Sequence, residues 1–161
     1  MDSRLVARSG IIALFLVLAS LFACAQKTNL DSGAAEPRAE DLSIPQTQLI
    51  QPEVLIRLLK AARADRPLVL QVGSHVLYAE AHIPGAEYTG PAGLQGRVES
   101  LPRTRFIVLY CGCCALNRCC NVAPAFTKLR DMGFTNVKVL YLADNFGISW
   151  VNQGYRVERG R

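Results

Sequence analysis

The chain has 161 residues, 50% of them hydrophobic and 19% charged, which excludes a disordered polymer and leaves room for one domain with appendages. Its formal net charge of +5, from 18 Lys and Arg against 13 Asp and Glu, is a mild excess scattered along the sequence. No basic stripe alternates with aromatics, so the charge argues against nucleic acid and suits a small anionic ligand.

Arg4 and Arg8 precede an apolar stretch from Ile11 to Ala23. That stretch is short for a membrane-spanning helix and the right length for the core of an export signal, so residues 1–25 are read as one. Two processing readings stay open. Leu21-Phe22-Ala23-Cys24 resembles a bacterial lipobox with Cys24 as the lipidated residue, whereas Ala23-Cys24-Ala25 also fits a small-x-small cleavage site. The first, preferred because a polar tether follows, makes an exported lipoprotein held to a bacterial membrane; the second makes a periplasmic protein. Residues 26–46 are rich in Asp, Ser, Gly, Ala, Glu and Pro and bury too little to fold alone, so they read as a flexible tether. Residues 47–161 remain as one small domain without internal repeats.

Within the domain, Pro52 suits a first helical turn and Val54, Leu55, Leu58 and Leu59 recur on one face, predicting a helix from Pro52 to Ala62. Asp65-Arg66-Pro67 makes a turn into a buried strand from Pro67 to Val72. A short helical stretch near Leu77 to Ala81 precedes His82-Ile83-Pro84-Gly85-Ala86-Glu87-Tyr88, a tight turn running into a brief strand. The Gly- and Pro-rich passage from Thr89 to Gly96 reads as a loop leading to a short helix. Strands are predicted at Phe106 to Tyr110 and Asn136 to Tyr141. Between them lies a helix from Ala123 to Met132, stopped by Gly133, and a last short helix spans Gly147 to Gln153. Strands alternating with helices through short connections predict an α/β fold, a parallel sheet with helices on both faces.

Chemistry concentrates in Cys111-Gly112-Cys113-Cys114-Ala115-Leu116-Asn117-Arg118-Cys119-Cys120, where five of the six cysteines fall within ten residues. A strand that delivers Cys111 into a loop closed by a helix N-terminus favours a thiolate, because backbone N–H groups and the positive helix end stabilise charge on sulfur. In an exported domain five cysteines are an odd number, so two disulfides would leave one thiol free. Cys111 paired with Cys113 or Cys114 as a resolving thiol is a second arrangement. A third is a soft-metal site for Zn²⁺ or Cu(I), although the spacing matches no standard zinc signature and the vicinal pairs Cys113-Cys114 and Cys119-Cys120 are awkward for one ion.

The ordered set of His82-Ile83-Pro84-Gly85-Ala86, Tyr110-Cys111, Gly133-Phe134-Thr135-Asn136-Val137, and then Gly147, Trp150, Gly154, Tyr155 and Val157, resembles the rhodanese family from Leu49 to Glu158. The resemblance implies a rhodanese-like three-layer fold with Cys111, directly after the central strand, as nucleophile. It implies a thiosulfate or sulfane sulfurtransferase that holds sulfur as a persulfide on Cys111. The partners it implies are a small anionic sulfur donor and a thiol acceptor, with no cofactor and no metal. Gly112, Cys113, Cys114, Arg118, Cys119 and Cys120 fall in the active-site loop, with Arg118 a candidate for attracting the anion. His82 is implied to fix a turn, Trp150 and Tyr155 to pack, and His75 to face solvent near the site.

Three departures from that pattern bear on activity. The loop is longer and richer in cysteine than the family's compact one. Gln71-Val72-Gly73 replaces the family's Asp-Val-Arg, removing an acid and a base from the site. The cysteine and arginine of phosphatases with this fold stand one residue closer than Cys111 and Arg118, which argues against phosphatase chemistry. The competing reading is a non-catalytic thiol module acting in redox chemistry or in Zn or Cu binding through the cluster.

Overall fold

The computed structural model describes residues 44–160; the expected export signal, Cys24 and most of the expected tether lie outside the described residues. Five parallel strands form one sheet: β1 (Leu49–Ile50), β2 (Leu68–Gln71), β3 (Glu87–Tyr88), β4 (Ile107–Tyr110) and β5 (Val137–Leu140). Their order is β1-β5-β4-β2-β3, with Leu70 opposite Leu109 and Leu109 opposite Val139 at the centre. Among the described residues four α-helices accompany them: α1 (Pro52–Leu59), α2 (His75–Glu80), α3 (Gly90–Val98) and α4 (Val122–Asp131). Among the described residues no helix is long and apolar enough to cross a membrane.

Alternation along the strands sorts the core into two layers. Leu68, Leu70, Val72, Ile107, Leu109 and Cys111 pack with Leu94 and Val98 of α3 and with Val122, Phe126 and Leu129 of α4. Val69, Val108 and Tyr110 take the opposite face with Leu55 of α1, Tyr78 of α2 and Trp150. The α/β sandwich expected from the sequence is therefore present, and strand periodicity places Cys111 on the α4 side. Ile44 is buried against this same layer, ahead of Thr47.

The chain runs from β2 outward to β3, then returns past β2 to lay down β4 and β5. The direction of winding thus reverses between β2 and β4. In open α/β sheets such a switch point opens a crevice at the carboxyl ends of the strands, the usual place for ligands. Here those ends are Gln71 and Tyr110.

Several elements differ from expectation. α1 ends at Leu59 rather than Ala62, because Lys60 and Ala61 donate to the carbonyls of Arg57 and Leu58 in a tightened last turn. The passage from Thr89 to Gly96, read as a loop, is mostly the helix α3. Pro91 lies in its first turn, and burial of Leu94 and Val98 outweighs the poor propensity of Gly90, Gly93 and Gly96. β1 has only two residues, too few to leave a pattern, and is held by pairing with Val139 and Leu140. The last helix is one wide π turn, Gly147–Val151, which seats Trp150 in the core while its Nε1 donates to the Arg156 carbonyl at 2.9 Å.

His82 fixes its turn as expected. It is buried and stacked on Tyr78, with Nδ1 2.8 Å from the Tyr78 carbonyl oxygen. Its backbone exchanges hydrogen bonds with Glu158, which ties the end of the chain to the turn before β3. Tyr155 packs edge-on against Trp150 and donates its hydroxyl to Glu53 at 2.7 Å.

Candidate functional site

The Cys111 sulfur sits at the winding reversal, buried at the end of β4. Two glycines shape its surroundings. A Cβ at Gly73, just past β2, would stand 2.7 Å from Cys111 Sγ, so only glycine leaves room for the sulfur. A Cβ at Gly112 would meet Gln71 Nε2 at 3.2 Å and Phe146 Cβ at 3.4 Å. The residues standing where the family has an acid and a base therefore do steric work: Gln71 lines the crevice and Gly73 makes space within it.

After Gly112 the loop is stapled to the segment following β5. The Phe146 N–H donates to the Gly112 carbonyl and the Leu116 N–H to the Leu142 carbonyl. Buried Leu116 opens a 3-10 turn, Leu116–Arg118, and carries Cys119 to the start of α4. Extra loop length thus becomes an ordered turn that returns a second sulfur to the first.

Four of the five loop cysteines converge. Cys111 Sγ is 3.1 Å from Cys113 Sγ, and Cys113 Sγ is 3.2 Å from Cys114 Sγ. Cys119 closes the group through hydrogen bonds with Cys111 and Cys114. The sulfurs of Cys111, Cys113 and Cys119 all lie within 4.8 Å of one another. Cys120 is turned outward, its sulfur 3.9 Å from Asn121 Oδ1. All five thiols are free, so no disulfide staples this loop. Arg118 is exposed on the residue before Cys119, and His75 is exposed with its ring edge-on to Tyr88.

Hydrogen bonding within the cluster favours the thiolate form of Cys119. Its thiol is lowered from 9.0 to about 6, chiefly because Cys111 donates a hydrogen bond to it, with further donation from the backbone N–H groups of Asn121 and Val122. Those groups belong to the N-terminus of α4, where no side chain caps the helix. Cys111 shifts the other way: donating to Cys119 and being buried both favour its protonated form. Cys114 is pushed up to about 12, first by burial. Sequence reasoning placed Cys119 in the loop but missed its special charge state. The available signal was its position just before a helix whose third residue is Pro124.

No family model matches this sequence, and no curated protein does. Solved structures do match. A thiosulfate sulfurtransferase from Pseudomonas aeruginosa superposes with a TM-score of 0.55 at 26% identity over 70% of this chain, which spans 19% of that one. A protein from Anabaena sp. superposes with a TM-score of 0.54 at 25% identity, covering 69% of this chain and 92% of that one. A solution structure from that Anabaena protein is described as a rhodanese-like domain. The fold is a rhodanese-like one. A further rhodanese-like domain protein, from Staphylococcus aureus, shares the fold with a TM-score of 0.52 at 14% identity over 71% of this chain and 99% of that one. The domain therefore combines that fold with a cluster of four converging thiols at the switch point.

Proposed function

We propose that this domain carries sulfane sulfur as a persulfide on Cys111, with Cys119 as the base that activates it. The observation that carries this reading is the hydrogen-bonded pair of Cys111 and Cys119 at the reversal between β2 and β4. Support also comes from the similarity to a thiosulfate sulfurtransferase.

In the first step the Cys111 sulfur attacks the outer sulfur of an anionic donor such as thiosulfate while its proton passes to the Cys119 thiolate. A new S–S bond forms, the donor's S–S bond breaks, and sulfite leaves with the electron pair. A base of pKa about 6 is ionised at neutral pH, and proton transfer concerted with attack lets it activate a much weaker acid. In the second step an acceptor thiolate attacks the terminal sulfur. The Cys111–sulfur bond breaks, Cys111 leaves with the electron pair, and the proton returns to it from Cys119. No net oxidation occurs and no cofactor is consumed.

The export reading belongs to the same proposal: a signal over residues 1–25 would leave a lipidated Cys24 that holds the domain to a bacterial membrane, or be cleaved at Ala23-Cys24-Ala25 and release it to the periplasm. The test is the initial rate of sulfur transfer from thiosulfate to cyanide, read as thiocyanate. Cys111→Ser is expected to abolish it, and Cys119→Ser to slow it on the order of 100-fold, the range for loss of a general base. An unchanged rate in Cys111→Ser would refute the assignment.

A further inference from the structure

We propose that Cys111, Cys113 and Cys119 form a three-sulfur site for one thiophilic monovalent cation, Cu(I). Sulfur transfer uses Cys111 and Cys119 but gives no role to Cys113, whose sulfur nevertheless touches Cys111 at 3.1 Å. With metal–sulfur bonds of about 2.3 Å, three sulfurs around one trigonal ion stand about 4 Å apart. The contact between Cys111 and Cys113 is shorter than that, and all three sulfurs lie within 4.8 Å of one another. Small side-chain rotations therefore suffice to admit an ion.

The donor set selects the metal. Three thiols without an oxygen or nitrogen partner in the trio favour soft cations and disfavour Mg²⁺ and Ca²⁺. A closed zinc site takes four ligands, and Cys114, though in contact with Cys113 at 3.2 Å, is outside the mutually close trio. Cu(I) accepts three thiolates. The framework is built for it: Cys111 is buried at the end of β4, and backbone N–H groups at the start of α4 orient the Cys119 sulfur. Exposed Cys113 offers the entry side. Hydrogen bonds of this kind hold ligand sulfurs in place.

This site stands on the sulfur geometry and does not depend on persulfide chemistry. Binding and sulfur loading compete, because both occupy Cys111 and Cys119. The test is an oxygen-free titration of the full chain with Cu(I) against a chromophoric copper chelator, without any sulfur donor, together with native mass measurement. One copper per chain is expected. Cys113→Ser and Cys113→Ala should each weaken binding by more than the roughly 10–100-fold lost when only a ligand's hydrogen-bond partner is removed, with circular dichroism unchanged because Cys113 is exposed. Cys114→Ser and Cys120→Ser should bind as the unaltered chain does. Failure to take copper from the chelator, affinity in both Cys113 variants equal to that of the unaltered chain, or equal weakening by Cys114→Ser would each overturn the three-sulfur assignment.

Discussion

Gly73 and the Cys111 sulfur occupy one another's space: a single methyl group at position 73 would stand 2.7 Å from Sγ. The pair joins β2 to β4 across the winding reversal and sets where the sulfur can sit. Gly73→Ala must displace that sulfur from Cys119, and misplacement of about 1 Å in a reacting group costs on the order of 100-fold in rate. The variant is expected to keep its circular dichroism spectrum and lose most thiocyanate formation. An unchanged rate would mean that the sulfur position is not fixed by this contact.

The lowered pKa of Cys119 has a direct chemical readout. Alkylation of Cys119 by iodoacetamide should rise with pH around a midpoint of about 6, whereas an ordinary thiol would show its midpoint near 8.5. Because Cys111 is the largest cause, Cys111→Ala should move that midpoint upward. Residue-resolved mass spectrometry of the alkylated chain measures both.

The same pair links stability to pH. Between about 6 and the reference thiol value of 9.0, slightly above the free thiol's midpoint, the folded pair holds one proton between its two sulfurs while the unfolded chain holds two. Stability should therefore rise as pH climbs through that window and be lost as pH falls through about 6. Above 9.0 the sign reverses, because the unfolded chain gives up both protons while folded Cys111 keeps its own. Urea melts across this range, compared with a Cys111→Ala, Cys119→Ala double variant, isolate the contribution.

Gln71 is 1% exposed and its Oε1 has no hydrogen-bond partner. An unpaired buried carbonyl costs on the order of 1–3 kcal/mol. Gln71→Met keeps the length and removes that group, so the variant should be as stable as the original or more so by about 1 kcal/mol. Destabilisation in urea melts would show that the carbonyl has a partner in solution.

Trp150 fills the core beneath the π turn at 1% exposure. Trp150→Ala should cost about 3–5 kcal/mol through cavity formation. Cys119 alkylation in the folded fraction should keep its midpoint, since Trp150 packs in the layer opposite Cys111.

Much of this arrangement was legible because strong local signals and burial agree. Ile107–Tyr110 is a short apolar run, read from the sequence as a buried strand and buried at every position. The helix at Val122–Asp131 was marked by its apolar spacing and by Gly133, whose φ of 88° suits the stop. Other features depend on tertiary contacts that leave no local trace. α3 contains three glycines and a proline, and only burial of Leu94 and Val98 makes it a helix. The sorting of the cysteines follows from the path of Leu116–Arg118, which returns Cys119 to Cys111 and turns Cys120 away. Family resemblance pointed to Cys111; the distribution of charge between it and Cys119 required the fold.

The most direct test of the account is to locate the sulfur. After exposure to thiosulfate, the full chain is capped with iodoacetamide and digested with trypsin, which cuts at Arg118 and separates Cys111 from Cys119. Fragment spectra then assign the added sulfur atom to one residue. The account predicts it on Cys111, removable by cyanide and absent in Cys111→Ser. Added sulfur on Cys119 or Cys113 with Cys111 unmodified, or none anywhere, would contradict it.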